Sequence, residues 1–304
     1  MSQELIALSN AFAEATDHAA ASVVAVHTEP RGSSSGVVWR SGVIVTSEHR
    51  LRHDEEIQVT LPTGRIVAAS LAGRDASTDL AVLKCADATS AAIETSEVSS
   101  IKPGSLILVV GRTRISGPVA AVGAVSLVVP ERRTWTGTTL APYVRLDVGL
   151  QPTAVGGAAI DPYGRAIGIA TPRFARFGAI AVAAPTVNRV VDTLLTKGRI
   201  PRGYLGVGLQ LVRLPDALRQ KLQHSEKTAA IVIEVESDGP AHKAGIVIGD
   251  VLVSIDGHPI TRVEDVHARL AAEAIGKPFA VKLVRGGAVQ DVTIVGGERP
   301  GRGK

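Results

Sequence analysis

The stretch Asp147-Val-Gly-Leu-Gln-Pro-Thr-Ala-Val-Gly-Gly-Ala-Ala-Ile160 constrains this chain more than any other. An apolar strand is expected before it at Pro142 to Leu146. Another is expected after it at Ala166 to Ala170, beyond an Asp-Pro-Tyr-Gly turn at Asp161 to Gly164. A loop that closes on Gly156 and Gly157 lets several backbone N–H groups converge on one point, which is how an oxyanion site is built. The composition suits such a setting. With 31 glycines, 16 prolines and 45% hydrophobic but only 3% aromatic residues, the chain reads as β-rich domains of many short strands. Its 304 residues are enough for two domains, each with its own core.

Taken in order, residues 2 to about 20 read as an amphipathic helix, with Leu5, Leu8, Phe12 and Ala15 at helical spacing. A strand follows at Ser22 to His27, then a flexible turn at Arg31 to Gly36. Paired strands are expected at Gly36 to Arg40 and Gly42 to Thr46. His49 stands at the end of the second of these, and His53 falls in the charged turn beyond it. Ile57 to Leu61 and Arg65 to Leu71 form a hairpin around Pro62 to Gly64. The run Gly73-Arg-Asp-Ala-Ser-Thr-Asp-Leu-Ala-Val-Leu-Lys84 enters another strand. Taken alone, a histidine at a strand end is commonly a surface or core residue, and an aspartate before an apolar strand a turn or cap residue. A helix at Thr186 to Lys197, capped by Gly198, closes this part of the chain.

Three segments together resemble the HtrA (Deg) branch of trypsin-like serine proteases. The first is Val43-Ile-Val-Thr-Ser-Glu-His49, similar to the family's strand and Thr-Asn-x-His run. The second is Asp75-Ala-Ser-Thr-Asp79-Leu-Ala-Val-Leu-Lys84, similar to its Asp-x-x-Thr-Asp-Leu-Ala-Val-Leu-Lys. The third is the loop at Asp147 to Ile160, similar to Pro-Gly-Asn-Ser-Gly-Gly-Pro. The resemblance implies His49 as general base and Asp79 as the carboxylate that orients it, in the chain order His, Asp, nucleophile. It also puts Val155, which has no hydroxyl, at the nucleophile position. In the oxyanion loop Thr153 replaces a glycine, Ala154 departs from the motif, and Gly156 is retained. Further on, Tyr204-Leu205-Gly206-Val207-Gly208 resembles the carboxylate-binding loop of an HtrA-type PDZ domain. Glu236 to Ala241, Lys243 to Ile246, Gly249 to Leu252 and Ile255 to Gly257 support the likeness. Val266 or His267 is expected to face the groove. The implied fold is mainly β: a chymotrypsin-like double β-barrel followed by a small α+β PDZ domain. The expected division is a helix at 1–20, a protease-type domain at 21–198, a linker at 199–203, a PDZ domain at 204–298 and a tail at 299–304.

A functional expectation follows: a protease homologue without its nucleophile, binding polypeptide C-termini or unfolded proteins as a pseudoprotease, chaperone-like or regulatory protein. The alternative is an active HtrA-type serine endopeptidase in protein quality control, with another hydroxyl, Thr153, attacking. The resemblance also implies a homo-oligomer, often a trimer in the family, or a mixed oligomer with an active paralogue. One cysteine, Cys85, rules out an internal disulfide and a cysteine metal framework. The histidines lack ligand spacing and no glycine loop suits a phosphate, so no metal or cofactor is expected. A net charge of +4, with no basic run interleaved with aromatics, argues against nucleic acid. The first ten residues lack a basic region followed by a sustained apolar one, and no segment approaches a membrane span. A cytoplasmic location is therefore expected.

Overall fold

The computed structural model describes residues 3–27, 32–51, 57–129, 132–133, 139–140, 142–175, 177–201, 203–222, 226–270 and 274–298. The chain divides into two compact units. Met1–Arg132 with Ala141–Ile200 form the first, and Arg133–Leu140 with Pro201–Lys304 the second.

The first unit begins with helix α1 (Gln3–Ala20). Strands β1 (Val23–His27), β2 (Ser33–Arg40), β3 (Val43–Ser47), β4 (Ile57–Thr60), β5 (Ile66–Asp75) and β6 (Leu80–Lys84) follow it. They close into an antiparallel barrel in the order β1-β2-β3-β6-β5-β4. Next come β7 (Leu106–Thr113) and β8 (Gly117–Val129), then a two-stranded ribbon of β9 (Arg132–Arg133) and β10 (Thr139–Leu140). β11 (Tyr143–Asp147), β12 (Ala158–Ile160), β13 (Ala166–Thr171) and β14 (Ala179–Ala183) complete a second closed barrel, ordered β11-β14-β13-β12-β7-β8. Two six-stranded barrels are the architecture the chymotrypsin-like resemblance implies.

Sequence explains the closure. β12 and β13 consist of Ala, Ile and Gly plus one Thr and are buried along their whole length, as strands covered on both faces must be. One core fills each barrel, Ile44, Val59 and Leu83 in the first and Ile107, Leu146 and Ile167 in the second. A third cluster, including Val45, Leu80, Val110 and Ile169, joins the barrels and takes in helix α2 (Ala184–Lys197). Gly198 adopts φ +69° and donates its N–H to Leu194 O, the expected left-handed cap. Cys85 is buried and free, as a small core hydrophobe.

One expectation needs correction. Ser33 to Gly36 do not form a turn but open β2, paired with β1, and Ser34 and Ser35 are fully buried. Their polarity misleads because the hydroxyl of Ser35 is used inside the fold, as described below. Helix α1 packs only through its second half. Phe12, Ala15, Ala19 and Ala20 reach the core, while Leu5 and Leu8 lie exposed.

The end of α1 is held by Arg112, whose buried guanidinium donates to Ala20 O at 2.8 Å and Val23 O at 2.6 Å. Burial pulls its pKa below the ordinary arginine value. Arg112→Met leaves both carbonyls without a donor, and a loss of about 2 kcal/mol in urea denaturation is expected.

In the second unit β15 (Gly203–Tyr204) leads to β16 (Val207–Arg213), α3 (Asp216–Leu222), β17 (Thr228–Val235), α4 (Pro240–Lys243) and β18 (Val251–Ile255). After these come β19 (His258–Pro259), α5 (Val263–Arg269), β20 (Pro278–Arg285), β21 (Ala288–Val295) and β22 (Gly297–Glu298). The sheet runs β16-β17-β18-β20-β21, with β19 on β18, while β15 pairs β22. Helix α3 has no counterpart in the sequence reading. Its start, Asp216, simply interrupts the apolar run that precedes it. Helix α5 ends at Arg269, and residues 271–273 lie outside those described.

Two carboxylates tie this unit together. Buried Asp250 accepts from Arg285 Nε and Nη2, both at 2.7 Å, and from Val247 N–H at 2.9 Å. Burial raises the Asp250 pKa, but Arg285 and the Val247 N–H outweigh it and leave the carboxyl below its ordinary value. Asp265 behaves alike: burial is outweighed by the Thr261 hydroxyl and by the Thr261 and Arg262 N–H groups. Each depressed carboxyl stabilises the fold fully above its unfolded pKa, about 3.9, and that contribution is lost as pH falls through the lower folded value. Urea midpoints of this unit are therefore expected to fall on acidification below about pH 4, and less steeply in Asp250→Asn.

Candidate functional site

Strand pairing builds the site. Ser47 at the end of β3 lies opposite Leu80 at the start of β6, so the residues just outside the ladder, Glu48-His49 and Asp79, meet at its edge. Glu48 N–H donates to Asp79 O at 3.0 Å, and His49 N–H to Asp79 Oδ1 at 2.9 Å. His49 Nδ1 lies 2.8 Å from Asp79 Oδ2 and 3.0 Å from Oδ1. Facing a carboxylate, Nδ1 carries the proton and Nε2 is left as the basic nitrogen. The His49 side chain keeps 27% of its surface exposed, whereas that of Asp79 is wholly buried.

The buried carboxylate is well supplied with donors. Ser47 Oγ donates to Asp79 Oδ2 at 2.6 Å and Thr171 Oγ1, from β13, at 2.5 Å. Asp79 has φ +58°, the one positive φ of a non-glycine residue among those described in the first unit. Aspartate tolerates that conformation better than most residues, and strain of this kind gathers at functional sites. Arg173 Nη1 lies 4.0 Å from Asp79 Oδ1 and 3.5 Å from Glu48 Oε2, and Arg74 Nη1 3.7 Å from Glu48 Oε1. Sequence reading assigned none of Ser47, Glu48, Thr171 and Arg173 a role beside Asp79, although Ser47 and Glu48 directly precede His49 in the same run. The expected exposed-turn histidine, His53, lies outside the described residues.

The loop expected to hold a nucleophile packs against the same strand end. Pro152–Ala154 forms one 3₁₀ turn, with Ala154 N–H donating to Gln151 O at 2.9 Å. Val155 follows with φ −61° and ψ 130° and is buried. Its carbonyl accepts from Ser35 N–H at 2.8 Å, while Ser35 Oγ donates to Thr153 O at 2.6 Å and accepts from Arg112 N–H at 2.8 Å. Gly156 has φ +81°. A Cβ there would lie 2.4 Å from Ser35 O and 2.8 Å from Ser47 N, so this glycine brings the loop against β2 and β3. Thr153 takes an ordinary helical conformation and has no positive φ. Valine offers no hydroxyl, thiol or exchangeable proton to a reaction.

In the second unit Tyr204 closes on the loop, its phenol bonded to the Glu236 carboxylate. Leu205 is buried and its carbonyl accepts from Ala241 N–H at 2.8 Å. Gly206 has φ +76° and accepts from Glu236 N–H at 2.9 Å, and Val207 opens β16 opposite Val235. Among the described residues β16 pairs only with β17, so its outer edge is available to an added strand. Val266 is buried in the core of this unit, and the His267 side chain is not among those described.

This pairing of folds is a trypsin-like peptidase domain joined to a PDZ domain: residues 34–169 match the first family and residues 203–295 the second. Among solved structures, the HtrA-type protease AlgW with a decapeptide is 25% identical, with a TM-score of 0.70 over 95% of this chain and 99% of that one. The serine endoprotease from Yersinia pestis is 27% identical, with a TM-score of 0.71 over 95% and 98%. A probable periplasmic serine endoprotease, DegP-like, of Rhizobium meliloti (strain 1021) is 30% identical over 282 residues, 90% of this chain and 55% of that protein. The chain thus carries a trypsin-like peptidase domain and a PDZ domain and is similar to HtrA/DegP-like serine proteases. It spans about half the length of the curated relatives it matches.

The cytoplasmic expectation is overturned, because several of these relatives are named periplasmic endoproteases. It rested on the first ten residues and on the membrane-span reading alone. No helix among the described residues is long and apolar enough to cross a membrane.

Proposed function

We propose that this protein is a pseudoprotease that binds the C-terminal tails of polypeptides, or unfolded chains, through its PDZ groove and does not hydrolyse them. The observation that carries this reading is Val155, a buried residue without a hydroxyl at the position that the family resemblance gives to the nucleophile, in a chain that keeps the His49–Asp79 pair. The 3₁₀ turn at Pro152–Ala154, which engages the Ala154 N–H internally, supports it further. In this reading residues 21–198 are the protease-type domain, 204–298 the PDZ domain, and Leu205 to Val207 offer backbone N–H groups to a terminal carboxylate. The exposed Leu5, Ile6 and Leu8 of α1 give an apolar surface for self-assembly or for assembly with an active paralogue. A periplasmic place, like that of the named relatives, accompanies it.

One observation favours an active endopeptidase instead: His49 keeps its orienting carboxylate. Thr153 would have to supply the attacking hydroxyl, yet it lies two residues from the nucleophile position with its carbonyl held by Ser35. The binding function is tested by fluorescence anisotropy of labelled decapeptides on the full chain. A peptide with a free terminal carboxylate is expected to bind about ten-fold or more tighter than its amidated twin. Equal affinities would contradict the groove.

A further inference from the structure

We infer that the groove selects a basic residue, lysine or arginine, at the penultimate position of the bound tail, and that Glu234 makes the selection. The inference rests on the groove reading above and adds the chemistry of its occupant. Val207 and Leu209 on β16 pack inward against the core, so Gly208 between them faces outward. A tail added antiparallel to β16, with its carboxylate at Leu205 to Val207, sets its last residue beside Val207. Its penultimate residue then lies beside Gly208, on that outward face.

On the other side of Gly208 stands its register partner, Glu234 of β17. Neighbouring strands are about 4.8 Å apart, so a side chain two strands from the ligand is ordinarily too far to contact it. Glu234 shortens that distance by lying across the glycine. A Cβ at position 208 would be 2.8 Å from Glu234 Cβ and 3.3 Å from Glu234 Oε2. Gly208 is not among the glycines with positive φ, so this crossing, not the backbone, is what its missing side chain serves. Glu234 is exposed, and its carboxylate has no hydrogen-bond or ion-pair partner among the described residues. Glu236 is exposed two residues on, with its carboxylate bonded to Tyr204, and adds a second negative charge beside the loop. A cation on the tail meets attraction here and a carboxylate meets repulsion.

The test uses the full chain and three labelled decapeptides that end in valine with a free carboxylate and differ only in a penultimate lysine, alanine or glutamate. Lysine is expected to bind about five-fold tighter than glutamate, and the gap to narrow at high ionic strength and in Glu234→Gln. Circular dichroism of that variant confirms its fold. Equal affinities in the unaltered protein, or a preference that survives Glu234→Gln, would overturn the inference and leave the groove standing. Failure of all three peptides to bind would sink the groove reading itself.

Discussion

The single substitution Val155→Ser is expected to leave the protein inert toward unfolded casein, and Thr153→Gly with Val155→Ser to give measurable turnover. Restoring the hydroxyl supplies the group whose removal from subtilisin, an unrelated serine protease, costs about 10⁶ in kcat. Asp79 already holds His49 Nδ1, which leaves Nε2, on a partly buried ring, as the nitrogen that can take up a proton. A hydroxyl is not sufficient, because charge developing on the substrate oxygen needs preorganised N–H donors. Pro152 has no N–H, the Ala154 N–H is engaged by Gln151 O, and Thr153 holds an ordinary helical conformation. Glycine at 153 frees that segment to turn an N–H outward. Loss of one such donor costs about 10²–10³ in kcat, so the double variant should exceed the single one by that factor. Rates from a fluorogenic casein assay decide it. Equal turnover of the two variants would show that the loop is already competent.

Gly156→Ala is expected to be the most destabilising small substitution in the site. The residue sits at φ +81°, which alanine resists, and the added methyl would stand 2.4 Å from Ser35 O, 2.8 Å from Ser47 N and 2.8 Å from Thr46 Oγ1. Two of these atoms belong to backbone fixed in the first barrel, and Thr46 Oγ1 is itself bonded to Ser35 O at 2.6 Å. Relief therefore requires the loop to withdraw from β2 and β3. That breaks the Ser35–Val155 and Ser35–Thr153 bonds and weakens the contact between the barrels. A loss of about 3–5 kcal/mol in urea denaturation is expected. Ala159→Gly, in a neighbouring strand, provides a comparison without steric conflict. A loss below about 1 kcal/mol for Gly156→Ala would show that the loop relaxes freely.

The barrels were legible because their strands are short apolar runs separated by Gly- and Pro-containing turns, and because His49 and Asp79 stand in recognisable runs. What escaped depended on contacts between distant segments. Ser33 to Gly36 read as a turn since three serines in a row are polar, yet Ser35 bonds residues more than seventy positions away, at Arg112 and Thr153. Thr171 and Arg173 join the site only through the closure of the second barrel beside the first. In α1 the apolar spacing was real, but spacing alone does not reveal which turns of a helix find a partner. Glu234 is invisible without the register that sets it across Gly208. The compartment was misjudged because it was sought in local composition, whereas the relatives that correct it are recognised only across the whole chain.

The most direct measurement is mass spectrometry of casein and of the bound decapeptide after prolonged incubation with the protein, beside a His49→Ala control. Intact substrates in both samples, with the peptide still bound, are the predicted result. Fragments that appear with the unaltered protein and vanish with His49→Ala would contradict the pseudoprotease reading and require a nucleophile other than residue 155.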